Sequence, residues 1–149
     1  MDKNTYYIHN NEAIACCILF SVLRIIRKID YSRYALILPF MLDDKTVNKL
    51  IETENINIYD FIKNNIDIFG NFNQRYVMLM PIMINSSIML NDFKLIQIAE
   101  TISVINDNEL NFSLPGDRLN RILSVNEKFC SIISNIDVNR VYKILNIEL

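Results

Sequence analysis

Glycine occurs only twice in the 149 residues, at Gly70 and Gly116; histidine occurs once, at His9, and tryptophan not at all. Two isolated glycines cannot build a Gly-rich phosphate loop, which needs glycine for close backbone approach to the phosphates. An ATPase acting alone is thereby excluded. The single histidine rules out HExxH zinc sites and any two-histidine metal site. A Ser–His or Cys–His pair would have to use His9, in a polar N-terminal segment ahead of the first apolar run. The three cysteines, Cys16, Cys17 and Cys130, match no zinc spacing, because adjacent residues point to different sides of a helix. They read as small buried hydrophobes, and an odd count without a signal peptide fits a reducing cytoplasm.

The chain also lacks a basic excess and a long apolar run. With a net charge of −2 and a pI of about 5.4, it has no global attraction to nucleic acid or to an anionic membrane. Its longest apolar stretch, from Ala13 to Leu23, is interrupted by Ser21 and stopped by Arg24. That falls short of the roughly 20 residues of a membrane span. The carboxylates Asp43/Asp44 and Glu52/Glu54 read as helix caps and a solvated end, not as an acid–base pair. No catalytic, cofactor-binding or metal-binding residue is assigned.

What the chain does have is apolar material, 51% of its residues. This is more than a monomer of this size readily hides, and large exposed apolar patches usually mark interfaces. The whole chain, 1–149, is expected to form one domain. It divides into a helical N-terminal part (1–70), a helix plus β-hairpin (71–115) and C-terminal helices (117–149).

Asn10-Asn11-Glu12 is positioned to cap a helix running to about Lys28, apolar on every side and therefore buried on every side. Tyr34 to Leu42 reads as extended or irregular, with Pro39 forbidding a central strand. Asp43-Asp44 caps a helix over Lys45–Glu52, and a second short helix lies near Ile58–Ile66, broken by Gly70. Asn73 caps the next helix, with Tyr76, Met80, Met83, Ile84 and Ser87 on one face and Pro81 kinking it or opening a new helix. Asn91-Asp92 restarts a short helix through Ala99. Ile102–Ile105 and Leu110–Leu114, separated by the turn-rich Asn106-Asp107-Asn108-Glu109, form a β-hairpin. A helix follows from Arg118 to Ser134, and Asp137 caps a last one, Val138 to about Asn146. The fold class is mainly α with one late β-hairpin, and a winged-helix-like α+β arrangement is the variant of it that this order allows.

Arg24, Arg27, Lys28 and Arg33 form the strongest local positive patch, suited to an acidic partner surface or simply to the carbonyl end of a helix. With the hairpin turn Asn106, Asp107 and Asn108, they are the candidate partner contacts. In a winged-helix regulator, Arg24, Arg27, Lys28 and Lys94 would be the DNA contacts. Yet the helix before the wing offers only Lys94, and the wing itself is acidic.

Three stretches carry a likeness to a known family. The first is Asn11-Glu12-Ala13 opening the apolar helix, followed by LILPFML at 36–42 and its Asp-capped helix. The second is Phe72-Asn73-Gln74-Arg75-Tyr76 with LMP at 79–81, running into ISVINDNELNF at 102–112. The third is Arg118 to Leu149, closing on SNIDVNRVYKILNIEL. In this order they cover most of the chain, which resembles the middle component of bacterial ABC three-component systems, Lamassu-like antiphage defence among them. The resemblance implies a non-catalytic adaptor with no cofactor. Its partners would be an SMC/Rad50-like ABC ATPase and an effector, often a nuclease, in a cytoplasmic hetero-oligomer that meets DNA only indirectly and no membrane.

Overall fold

A computed structural model of the protein describes residues 3–107 and 116–149, with side chains from Asn11 onward. Helix α1 (Lys3–Ile26) is the axis around which the rest packs. It begins well before the expected cap, so Asn10-Asn11-Glu12 lies inside the helix. There Glu12 serves as a tertiary acceptor, taking a hydrogen bond from Asn85 Nδ2 at 3.1 Å. The apolar segment is buried over most of its girth, at Ala15, Cys16, Ile18, Leu19, Phe20, Val22 and Leu23, but not on every side as expected: Ile14, Cys17 and Ser21 line a side that is only partly buried.

Strand β1 (Lys28–Ile29) leads into two short helices, α2 (Tyr31–Tyr34), of which only Tyr34 is buried, and the fully buried α3 (Ile37–Met41), where an extended segment from Tyr34 to Leu42 was expected. Pro39 is no obstacle, because it is the third residue of α3, where a backbone N–H has no partner within the helix. Asp43 caps α4 (Asp44–Glu52) as expected, accepting from Thr46 N at 3.0 Å and Thr46 Oγ1 at 2.7 Å. Asn57 caps α5 (Ile58–Asn64), α6 (Ile66–Phe69) follows, and the chain turns at Gly70.

Helix α7 (Phe72–Asp92) runs unbroken through Pro81. Its inner face, including Phe72, Tyr76, Ser86 and Leu90, is buried against α1 and α3. The aromatic centre of the core lies here, with the Phe40 ring 4.9 Å from Phe72, 5.7 Å from Phe69 and 5.8 Å from Phe129.

The expected helix over Asn91–Ala99 is not formed. Lys94 adopts a left-handed φ of 61°, which ends α7, and the β-branched Ile96–Ile98 continues as strand β2. Strand β3 (Ile102–Val104) turns back through Ala99-Glu100-Thr101 and pairs antiparallel with both β2 and β1, giving the sheet order β1-β3-β2. A late hairpin is therefore present, but its partner strand is β2; the expected partner, 110–114, lies outside the described residues. The C-terminal helix expected as one is two, α8 (Asp117–Leu123) and α9 (Asn126–Ser134), and α10 (Val138–Ile144) is capped by Asp137. One hydrophobic cluster runs from Ala15 in α1 to Leu145 beyond α10. Helix dominates, and the small sheet closes one end of α1.

Candidate partner-binding surface

At the end of α1 the chain passes through Arg27, at φ 74°, into β1. The Arg27 N–H still donates to Leu23 O at 2.7 Å, while its carbonyl accepts from Val104 N at 3.0 Å, so one residue closes the helix and opens the sheet. Arg24, Arg27 and Lys28 are consequently exposed together where α1 meets the sheet edge. The Arg24 guanidinium sits 5.9 Å from the Phe20 ring centroid. Arg27 pairs with Asp107, which follows β3. That hydrogen bond holds the Asp107 carboxyl below its ordinary range, helped by the nearby Arg24 charge. Asn106 sits beside it, its N–H directed at Leu95 O at 3.3 Å. Asn108 lies outside the described residues.

Arg33 belongs elsewhere. Its Nη1 donates to Asp30 Oδ2 at 2.7 Å, its Nε to Ile133 O at 3.1 Å and its Nη2 to Ile136 O at 2.9 Å. It braces α2 against the carbonyl end of α9, satisfying acceptors that a helix terminus leaves open. Arg75, from the FNQRY stretch, is likewise turned inward: Nη1 donates to Ile68 O at 2.8 Å and Asn71 Oδ1 at 2.9 Å, with the Phe72 ring 5.0 Å away. Burial pulls its pKa below the ordinary guanidinium value, with Asp43 pulling the other way.

The surface feature that sequence reading missed is the outer side of α7. Met78 is 67% exposed, Val77 57%, Ile88 50% and Ile84 48%, with Pro81 exposed between them. The signal was present: from Tyr76 to Asn91 the helix carries no charged residue. Its apolar side chains are too many for one buried face, so some had to face outward. A shallow groove of about 490 Å³ along this side is lined by Tyr76, Val77, Met80, Pro81, Ile84 and Asn85.

A second hollow, about 350 Å³, is of mixed character, edged by Lys49, Thr53, Asn57, Asp60, Ile56 and Phe61. It brings amides together with the Lys49 ammonium, the Asp60 carboxylate and the Thr53 hydroxyl, which donates to Lys49 O at 2.8 Å. Among the described residues no group of three or more His, Cys, Asp or Glu side chains is placed to hold a metal ion. Burial pushes the Cys17 and Cys130 thiols up to about 11, the opposite of an activated thiolate. No described helix is long and apolar enough to cross a membrane.

Residues 2–149 match the family model described as the ABC-three component (ABC-3C) system Middle Component 3. The chain belongs to that family. No curated protein and no solved structure matches it. Membership in Middle Component 3 implies partner components.

Proposed function

We propose that the chain is a non-catalytic adaptor of a cytoplasmic antiphage complex. It bridges an SMC/Rad50-like ABC ATPase and an effector, a nuclease in the reading we favour, and governs activation of that effector. The family match along residues 2–149 carries this reading. It is supported by an outer face of α7 rich in uncovered apolar side chains, which marks an interface more readily than an enzyme's cleft. Arg24, Arg27 and Lys28, together with Asn106, Asp107 and Asn108, form a second contact region for an acidic partner surface. Arg33 would contribute by holding α2 in place.

Co-expression with the other two components of its system tests this. The chain is expected to co-purify with both, and alone to cleave neither ATP nor DNA. Robust catalysis by the isolated chain, or failure to retain either component, would overturn the proposal.

A small winged-helix DNA-binding regulator is the second reading, favoured by the sheet order and by the hairpin after a long helix. Against it, the outer face of α7 has no cation between Tyr76 and Asn91, and the hairpin tip reads Ala99-Glu100-Thr101. Affinity for duplex DNA comes largely from Lys and Arg that neutralise phosphates, and this face and this tip carry none. A salt-dependent shift of duplex DNA by the isolated chain would restore this reading.

A further inference from the structure

We infer that the outward stripe of α7, formed by Val77, Pro81, Ile84 and Ile88, is the seat of an amphipathic helix supplied by another component of the system. The inference rests on the adaptor reading and deepens it by naming the surface and the chemistry of its occupant.

The spacing comes first. Positions 77, 81, 84 and 88 are separated by four, three and four residues, the alternation of a two-helix seam, and all four are exposed. At 100° per residue they lie within one narrow arc, while the buried Phe72, Tyr76, Ser86 and Leu90 lie on the other side. Met78 flanks the stripe on one edge and Met80 on the other, and flexible thioethers adapt to an incoming surface.

Charge then selects the occupant. Helix α7 carries no ionised side chain between Tyr76 and Asn91, and the Glu12 carboxylate beside the groove is engaged by Asn85, so a charge buried against the stripe would go uncompensated. An acidic peptide and a phosphate backbone are both disfavoured; an apolar helix face is what this groove accepts. Pro81 adds one polar feature, since it supplies no N–H to the Val77 carbonyl and leaves that acceptor to other donors.

Size separates a partner component from a second copy. The stripe spans twelve residues, roughly 16 Å of helix from first to last. Paired with itself, so short a strip falls well below the about 800 Å² per partner of a stable dimer. Membership in a three-component family supplies heterologous partners, and such a partner can add a second grip, such as the basic end of α1.

The test is co-purification of the chain with the two other components, comparing wild type with Ile84→Glu, Ile88→Glu and, as a control, Ile51→Glu on α4, where Ile51 is 44% exposed. Glutamate suits an exposed helix position, so unfolding midpoints should stay put. The seam variants are expected to retain at least about tenfold less of one component, the loss typical of a disrupted interface centre, and the control to retain it fully. Equal retention by all variants would overturn the inference and leave the adaptor reading standing. Loss of both components by wild type itself would sink the two together. Photocrosslinking from a benzophenone amino acid at Val77 identifies the occupant without relying on a destabilising change. A crosslink into an amphipathic helix of another component supports the inference, and a crosslink only to a second copy of this chain overturns it.

Discussion

Tyr34 and Ser87 meet in the buried seam between α2 and α7, with Tyr34 Oη 2.7 Å from Ser87 Oγ. Ser87 Oγ donates in turn to Met83 O at 2.6 Å, so the Tyr34 hydroxyl hydrogen is directed at the serine oxygen. Burial holds the phenol protonated, far above its ordinary range. The two ends of this chain are therefore unequal. Ser87→Ala leaves a buried hydroxyl donor unmet and should cost about 1–3 kcal/mol, whereas Tyr34→Phe leaves Ser87 bonded to Met83 O and should cost about 0.5–1.5 kcal/mol. Urea unfolding at constant m-value measures both. Greater loss from Tyr34→Phe would show that the donor order is reversed.

Local signals were legible in the sequence where one residue settles the structure. Asp43 and Asp137 act as caps because a short carboxylate before a helix meets free N–H groups whatever surrounds it. The apolar segment from Ala13 to Leu23 had to be central because most of its girth is apolar, and only the side of Ile14, Cys17 and Ser21 meets solvent in part. The errors fell where tertiary context decides. Nothing local to Arg27 or Lys94 announces a left-handed backbone, yet those two residues set where α1 and α7 stop and where β1 and β2 begin. Asn10-Asn11-Glu12 has the composition of a cap, but Asn85 and the packing of α7 on α1 give Glu12 another task. The cationic patch read as four residues contains three: Arg33, close in sequence, is drawn away by carbonyls a hundred residues further along the chain. The outer stripe of α7 was hidden because an apolar pattern shows that side chains avoid water, not whether this chain or another one covers them.

Asp30 and Arg33 give the protein an acid-sensitive contact. Burial pushes the Asp30 carboxyl up, but hydrogen bonds from the Arg33 side chain and backbone outweigh it and hold the group below its ordinary range. A folded pKa below the unfolded value of about 3.9 stabilises the protein above that pH, and the contribution is lost as pH falls through the folded value. Asp30→Asn removes the charge and keeps an oxygen able to cap α2. The variant should be less stable at pH 7 by under about 1 kcal/mol, because the carboxylate is partly screened by solvent. The difference should shrink as pH drops below about 4. Unfolding curves for both proteins between neutral and acid pH check this. A difference that does not change with pH would mean that the pair contributes nothing to folding.

Pro81 is the one place where α7 works against its own helix. A proline inside a helix removes an intrahelical donor and costs roughly 3 kcal/mol relative to alanine, while it stiffens the unfolded chain by about 0.4–1 kcal/mol in the folded state's favour. The helix nevertheless continues through it, so its packing on α1 and α3 must offset the difference. Pro81→Ala should therefore stabilise the isolated protein by about 2–2.6 kcal/mol, read as a higher urea midpoint. The position is exposed and alanine remains apolar, so retention of the other components should persist if the seam works by apolar contact alone. If stability rises while retention falls, the Val77 carbonyl that Pro81 leaves open is itself a contact, and the occupying helix must bring a donor to meet it. If stability does not rise, the helix has already relaxed around the proline, and its cost was absorbed in the geometry of α7.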